Sequence, residues 1–220
     1  CIRDSLTRIR VSRNIPIPLP TDVNALQINP SLRLYTPVKK NQSPLPLLIY
    51  LHGGGWTFGS INSCARFCQT LAATGNVIVL AVDYRLAPEH PFPDGLEDCI
   101  RAVKLARKKA LEWGSSPELV SIGGDSAGGN LALSATLSFL QESTSPIRSL
   151  LLFYPVVSAW NDASPSWNTY QKGAALDGPL MEAFNQAYTC GQAQHPFISP
   201  SLCPDLSLIH ISEPTRPISI

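Results

Sequence analysis

The sequence predicts an α/β fold built on a doubly wound, mostly parallel sheet. Short apolar runs alternate with longer amphipathic stretches, and the runs are apolar at almost every position, as in strands that are buried on both faces. Successive units of strand, helix and strand favour right-handed crossovers, which place neighbouring strands parallel. The longest apolar runs, 45–51 and 77–82, are far shorter than the roughly 20 residues of a membrane-spanning helix.

The first two predicted strands each precede a predicted helix. Residues 45–51 (LPLLIYL) form a continuous apolar run that is typical of a buried strand, and 62–73 has a helical pattern. Residues 76–82 (NVIVLAV) form the second buried strand. A long amphipathic helix is predicted over 94–112, because its apolar residues recur at helical spacing. These apolar residues include Leu96, Ile100, Val103 and Leu111.

The same alternation continues in the second half of the chain. A third strand is predicted over 118–122, a helix over 126–140 and a fourth strand over 149–154 (SLLLFY). A further helix is predicted over 180–188. Residues 161–178 are irregular and rich in Trp and Ser, which is typical of a loop or of part of a lid.

Composition limits the possible functions. With 220 residues, of which 44% are hydrophobic, the chain can bury a sizeable core in one domain or slightly more. The net charge is +1 and only 15% of the residues are charged, so neither nucleic acid nor an anionic membrane surface is expected as a partner. No secretory signal is visible, which favours a cytoplasmic location.

The six cysteines show no CxxC pair and no metal-ligand spacing. Cys64 and Cys68 lie four residues apart in a predicted helix. We expect them to be two small buried side chains, rather than a disulfide or a pair of ligands. The cysteines are therefore not expected to bind a metal.

The first motif that carries chemistry is HGGGW at 52–56, directly after the first predicted strand. Three consecutive glycines let the backbone turn with torsion angles that side chains forbid, so that N–H groups point inwards. Two such donors aimed at one point form an oxyanion hole, and the loss of one donor of this type raises the barrier by about 3–4 kcal/mol. The alternatives are a glycine-rich turn without a role, or a phosphate-binding loop, for which the usual motifs are missing.

The second motif is Gly124-x-Ser126-x-Gly128, between a predicted strand and a predicted helix. Glycines at these positions relieve crowding in a sharp turn, so that the serine projects above the sheet while the following N–H, from Ala127, points at the same oxyanion. The pattern alone arises by chance, but its position after a strand, in a chain that also carries HGGGW after a strand, favours a nucleophile.

Three motifs together resemble the hormone-sensitive-lipase group of α/β-hydrolases, which includes bacterial acetyl-esterase-like enzymes and plant carboxylesterases. They are HGGGW at 52–56, VDYRLAPEHPFP at 82–93 and GDSAGGN at 124–130. The resemblance extends over roughly residues 30–205 and implies an α/β-hydrolase fold with an N-terminal cap. It also implies that the chain uses no cofactor and hydrolyses carboxylic esters of small molecules, with short to medium acyl chains.

The resemblance also implies a role for four residues. Ser126 matches the nucleophile of the family, which forms an acyl-enzyme intermediate. Gly53, Gly54 and Ala127 match the oxyanion-hole donors.

A serine nucleophile needs a histidine as base and a carboxylate that orients this histidine, in the chain order serine, acid, histidine. His52 and His90 precede Ser126 and belong to motifs with other roles. His195 is expected to be a surface or packing residue, and His210 lacks the sequence context of the family's catalytic histidine. The acidic residues Asp162, Asp177, Asp205 and Glu213 also lack the family's context.

The last stretch, 209–220 (IHISEPTRPISI), has neither helical nor strand periodicity. It resembles the translated read-through of a sequencing adapter. We therefore expect a cap-like segment over 1–30, a truncated α/β-hydrolase domain over 31–205 and a non-native tail over 206–220. On this interpretation the last strands, the triad acid and the triad histidine are absent from the 220 residues, and this chain by itself has negligible esterase activity.

A non-catalytic small-molecule receptor on the same fold is the alternative. The plant gibberellin receptor resembles this family, with the catalytic histidine replaced, and uses the pocket to bind a hormone. The full-length transcript would discriminate the two, because a histidine in an HGF-like context after a DPL-like acid favours the esterase. The sequence predicts no particular oligomeric state.

Overall fold

A computed structural model describes residue 10 and residues 15–39, 44–141, 146–160, 163–173 and 176–204. The described residues contain one six-stranded sheet with the strand order β1-β2-β4-β3-β5-β6. Strands β3, β4, β5 and β6 run parallel, and β1 and β2 are antiparallel to their neighbours. The strands are β1 (Val23–Asn29), β2 (Leu32–Pro37), β3 (Leu47–Leu51), β4 (Ile78–Val82), β5 (Val120–Asp125) and β6 (Leu150–Phe153). The predicted α/β fold with a mostly parallel sheet is confirmed.

The helices follow the strands as the sequence predicts, with one addition. The helix over Pro165–Tyr170 lies in the stretch that the sequence predicts as irregular, and Ser164 caps it by accepting a hydrogen bond from the Trp167 N–H. The helices are α1 (Ala65–Gly75), α2 (Asp94–Trp113), α3 (Ala127–Gln141), α4 (Pro165–Tyr170) and α5 (Gly178–Thr189). In the described part of the chain, no helix combines the length and the apolar character that crossing a membrane requires.

Strands β1 and β2 were not predicted from the sequence. Most residues of β1 are exposed, so the strand lacks the apolar run that marks a buried strand. Among the described strands it lies at the edge of the sheet and pairs with β2 alone. Because β1 begins at Val23, the sheet already includes residues that the sequence predicts as part of the cap-like segment 1–30.

The core lies on both faces of the central strands. Every residue of β3 and of β4 is buried, which explains why both could be found from their continuous apolar runs. Successive side chains point to opposite faces. On one face Ile49, Leu80 and Ile122 pack in a cluster with residues of α2 and α3, and on the other Leu48 and Val79 pack with residues of α1.

The parallel register brings two loops to the same edge of the sheet. Leu51, at the carboxyl end of β3, is paired with Gly124 near the carboxyl end of β5. The loop after β3 and the turn after β5 therefore emerge side by side. In open α/β sheets this edge is where ligands bind.

Four buried tyrosines predict that the protein loses stability at alkaline pH. Burial is the main cause that raises the pKa of Tyr35, Tyr50, Tyr84 and Tyr188 above the ordinary value of 10.0. Below about pH 10 these phenols are neutral in both the folded and the unfolded chain, so they cause no pH dependence. At higher pH the unfolded chain releases protons more readily than the folded chain, and we expect the melting temperature to fall.

Thermal unfolding between pH 7 and 11 measures this effect. The Tyr188 hydroxyl has no hydrogen-bond partner in the described part of the protein, so Tyr188→Phe removes a titrating group at little other cost. Between pH 7 and 11 the melting temperature of this variant should fall less than that of the unsubstituted chain. Tyr170→Phe is the matched control, because Tyr170 is exposed. An equal fall in melting temperature at alkaline pH in the two variants would contradict the prediction.

Candidate active site

Ser126 occupies the turn between β5 and α3. Its φ is +52°, in the left-handed region that residues with a side chain rarely adopt. Its N–H donates to the Phe153 carbonyl (2.9 Å), and its own carbonyl accepts from the N–H of Asn130 (3.0 Å) and of Val156 (3.3 Å). Such strain persists only where the surrounding structure enforces it, and it is concentrated at functional sites.

The two flanking glycines let this turn pack against the end of β3. A Cβ atom on Gly128 would lie 2.1 Å from the Leu51 carbonyl oxygen and 2.5 Å from the His52 carbonyl oxygen. A Cβ atom on Gly124 would lie 2.4 Å from the same Leu51 oxygen. Both contacts are with backbone atoms that cannot rotate away. The Gly-x-Ser-x-Gly spacing is therefore a requirement of close packing between two neighbouring strand ends.

The glycine loop, residues 53–55 after β3, turns tightly beside Ser126. Gly54 has a φ of +121° and Gly55 a φ of +57°. The Gly54 carbonyl accepts from the N–H of Thr57 (3.0 Å) and of Phe58 (2.8 Å), which directs this oxygen into the turn. A Cβ atom on Gly55 would lie 2.4 Å from the Phe184 ring, so this part of the loop also packs closely against α5.

Asp125 connects the glycine loop to the serine turn. Its Oδ1 accepts hydrogen bonds from the Gly53 N–H (3.1 Å) and from the Tyr50 hydroxyl (2.9 Å). Burial, followed by the Asp125 carboxylate, raises the pKa of Tyr50, so the phenol keeps its proton and remains a donor. The residue next to Ser126 thereby holds the loop in place.

This contact concerns one residue that the sequence predicts as an oxyanion-hole donor. In the structure the Gly53 N–H donates to Asp125, and the role of Gly53 stays a prediction. In the described part of the chain, the N–H groups of Gly54 and Gly55 donate to no protein acceptor. Ala127 is the first residue of α3, where backbone N–H groups lack an acceptor within the helix. The free donors therefore lie on Gly54, Gly55 and Ala127.

A cavity of about 400 Å³ opens beside the loop. Gly53, Gly54 and Asp125 form part of its wall, together with the aromatic side chains of Phe58 and Tyr154. This volume is in the range of small-molecule sites, which are typically apolar with a few polar groups. The described residues contain no group of three or more side chains that could bind a metal ion.

The described histidines contact other groups than Ser126. The His52 ring is buried and stacks on Tyr84, and its Nδ1 lies 2.8 Å from the Gly53 carbonyl oxygen. His90 pairs with Asp94 (2.9 Å), and His195 Nδ1 accepts from the Phe197 N–H (3.1 Å). That none of the three is the catalytic base stays a prediction.

The acidic candidates give no triad member among the described residues. Asp177 caps α5, because its Oδ1 accepts from the Leu180 N–H (3.0 Å). The remaining candidates lie outside the described residues; they are Asp162, Asp205, His210 and Glu213.

Two further residues of the site were not predicted from the sequence. Asp125 was visible only as a letter of the GDSAGGN motif, with no role of its own, and Tyr50 only as one member of an apolar strand. A carboxylate at the end of a buried strand is a signal that sequence reasoning could have used, because such a group needs hydrogen-bond donors. Asn130 is also buried, and its side-chain amide donates to the carbonyls of Val156 (2.7 Å) and Ile198 (2.9 Å).

Asp125→Ala is expected to release the glycine loop. The substitution leaves the Gly53 N–H and the Tyr50 hydroxyl without their acceptor, which costs about 1–3 kcal/mol for a buried group. The Gly53 amide should exchange its hydrogen faster, and urea unfolding should report the lower stability. Tyr50→Phe is the matched control, because it removes only one of the two hydrogen bonds. Unchanged protection of the Gly53 amide in Asp125→Ala would show that the carboxylate does not hold the loop.

A family model for the α/β-hydrolase fold matches residues 48–213. Carboxylesterase NlhH of Mycobacterium tuberculosis is 36% identical over 180 residues, which is 79% of this chain and 54% of the relative. The arylesterase of Saccharolobus solfataricus is 34% identical over 179 residues, which is 80% of this chain and 57% of the relative. The chain thus spans about half the length of the curated relatives that it matches.

Solved structures of esterases superpose on most of the chain. The carboxylesterase EstE1, cloned from a metagenomic library, has a TM-score of 0.81 at 29% identity and is matched over 92% of this chain and 73% of its own. The hyperthermophilic esterase of Pyrobaculum calidifontis has a TM-score of 0.75 at 31% identity, over 90% of this chain and 66% of its own.

Proposed function

Because this chain belongs to the hormone-sensitive-lipase-like group of the α/β-hydrolase family, we propose that its parent protein hydrolyses carboxylic esters through an acyl-Ser126 intermediate. One observation carries the proposal. Ser126 is held at a positive φ on a strand-to-helix turn, directly beside a glycine loop that has free N–H groups. The esterases and lipases that resemble the chain support the same reaction class.

In the proposed reaction the Ser126 hydroxyl attacks the ester carbonyl carbon while a histidine base accepts its proton. Negative charge then develops on the carbonyl oxygen. We assign its stabilisation to the N–H groups of Gly54, Gly55 and Ala127, with Gly53 kept on Asp125 as the anchor of the loop. The tetrahedral intermediate then collapses, and the protonated histidine donates its proton to the alcohol oxygen as the alcohol leaves. A water molecule then releases the acid from the acyl-enzyme by the same steps.

The proposed substrates are esters with short to medium acyl chains. The cavity of about 400 Å³ beside the glycine loop has room for a small acyl or alcohol group, and Phe58, Phe67 and Tyr154 give it aromatic walls. We also propose a cytoplasmic location. The free thiols of Cys64, Cys68 and Cys99 support it, because thiols persist in reducing compartments.

A fluorophosphonate probe tests the proposal on the protein expressed from its full coding sequence. The probe should label Ser126, and the same protein should hydrolyse p-nitrophenyl acetate and butyrate. A protein that binds small esters without labelling or turnover would instead be a receptor on this fold. The relatives named above are enzymes, which favours the esterase over a receptor.

A further inference from the structure

Two thiols that ester hydrolysis does not use lie together under the cavity wall. The Cys68 S–H donates to Cys64 Sγ, and the two sulfur atoms are 3.8 Å apart. Both cysteines are free and buried, as the sequence predicts for this pair. The structure adds that the two sulfur atoms are in contact with each other.

The two thiols differ in how a reagent can reach them. Cys64 lines the cavity of about 400 Å³, on the same wall as Ser63 and Gly59. Cys68 is fully buried against the sheet and is not part of the cavity wall. The cavity therefore borders Cys64, and Cys68 lies behind it, so that a small molecule in the cavity meets Cys64 before Cys68.

Opposing effects act on the Cys64 thiol. The Ile61 carbonyl (3.7 Å from Sγ) accepts from its S–H and favours the thiol, whereas the start of α1 and the hydrogen bond from Cys68 favour the thiolate. Cys64 directly precedes α1, where the backbone N–H groups at the helix start stabilise negative charge. The hydrogen bond from Cys68 lowers the pKa of the Cys64 thiol, against the effect of burial. The same hydrogen bond, together with burial, raises the pKa of the Cys68 thiol. The thiol with the lowered pKa thus borders the cavity, and the thiol with the raised pKa lies behind it.

We propose that Cys64 and Cys68 form a dithiol site that reacts with hydroperoxides and closes reversibly to a disulfide. The Cys64 thiolate attacks one peroxide oxygen, the O–O bond breaks, and the released alkoxide or hydroxide takes up a proton. The Cys68 thiol then attacks the sulfur of the Cys64 sulfenic acid, and water leaves. In the whole reaction the two thiols lose two electrons and two protons and become a disulfide. The hydroperoxide gains them and becomes one alcohol and one water molecule, or two water molecules where it is hydrogen peroxide.

Closure of this disulfide must distort the first turn of α1. The sulfur atoms have to move from 3.8 Å to roughly 2.05 Å apart, while the Cys68 N–H donates to the Cys64 carbonyl (3.0 Å) in the same turn. Cys64 has φ and ψ of −97° and 2°, outside the helix, so the chain can adjust at this end. A strained disulfide is reduced easily. We therefore expect dithiothreitol to restore both thiols, and the site does not depend on esterase activity.

Peptide mapping of the protein expressed from its full coding sequence, after treatment with hydrogen peroxide, tests this proposal. In the native chain the Cys64–Cys68 disulfide should form at least ~10-fold faster than Cys99 is oxidised. Cys99 is as buried as Cys68 and has no thiol partner among the described residues. The same comparison in concentrated urea should show no such preference. Cys68→Ser should stop at a Cys64 sulfenic acid that dimedone traps, and Cys64→Ser should leave Cys68 reduced.

Three outcomes would overturn the proposal. The first is oxidation of Cys190, the exposed thiol, while Cys64 and Cys68 remain reduced. The second is an equal rate of disulfide formation in the native chain and in urea, which would make the reaction a property of the local sequence. The third is trapping of a sulfenic acid on Cys68 in place of Cys64. The urea comparison uses the unsubstituted chain, so the test does not depend on whether either variant folds.

Discussion

Ser126→Ala is expected to lower kcat/KM for p-nitrophenyl butyrate by roughly 10⁴-fold or more, because loss of the nucleophile leaves only binding and oxyanion stabilisation. The measurement uses the protein expressed from its full coding sequence. Ser121→Ala is the matched control: Ser121 lies in the same strand, β5, and its hydroxyl bonds to Ser149 (2.8 Å) away from the turn. The control should hydrolyse the ester at the parent rate. Equal rates for Ser126→Ala and the parent protein would refute the assignment of the nucleophile.

The same assay separates the histidines. His90→Gln and His195→Asn should keep the parent rate within a few-fold, because His90 pairs with Asp94 and the His195 ring packs between Phe92 and Phe197. A loss as large as that of Ser126→Ala in either variant would identify that histidine as the base.

Trp56→Ala is expected to lower the free energy of unfolding by about 3–5 kcal/mol, the usual cost of removing a buried tryptophan. The Trp56 side chain is 1% exposed and stacks on Tyr188 of α5, with the ring centres 4.5 Å apart and the planes at 3°. Because Trp56 directly follows the glycine loop, the cavity that it leaves lies beside Gly54 and Gly55. The loop should therefore lose order together with the core.

Urea unfolding measures this loss. Leu111→Ala is the control, because the Leu111 side chain is 76% exposed and its truncation should change the free energy of unfolding by no more than about 0.5 kcal/mol. Trp56→Phe should be intermediate, since it keeps an aromatic ring against Tyr188. A change below about 1 kcal/mol for Trp56→Ala would mean that the core closes over the missing side chain.

The central part of the fold could be predicted because its signal is local. Strands β3 and β4 are buried at every position, and α2 carries an apolar stripe at helical spacing. Strand β1 could not be predicted in the same way. Its residues are mostly exposed, and it is a strand because β2 offers a partner for its backbone. Backbone pairing at the edge of a sheet requires no regular pattern of apolar side chains, so the sequence of such a strand does not reveal it.

By itself the sequence determined the mostly parallel α/β fold and the identity of the candidate nucleophile. Both follow from short-range requirements: apolar runs for buried strands, and glycines on either side of Ser126 where the turn meets Leu51. Only the tertiary structure decided which N–H groups of the glycine loop are free. The Gly53 N–H bonds to Asp125, 72 residues away in the chain, because parallel pairing places the ends of β3 and β5 side by side. A hydrogen bond between the ends of two strands depends on the register of those strands, and the HGGG motif alone does not determine that register.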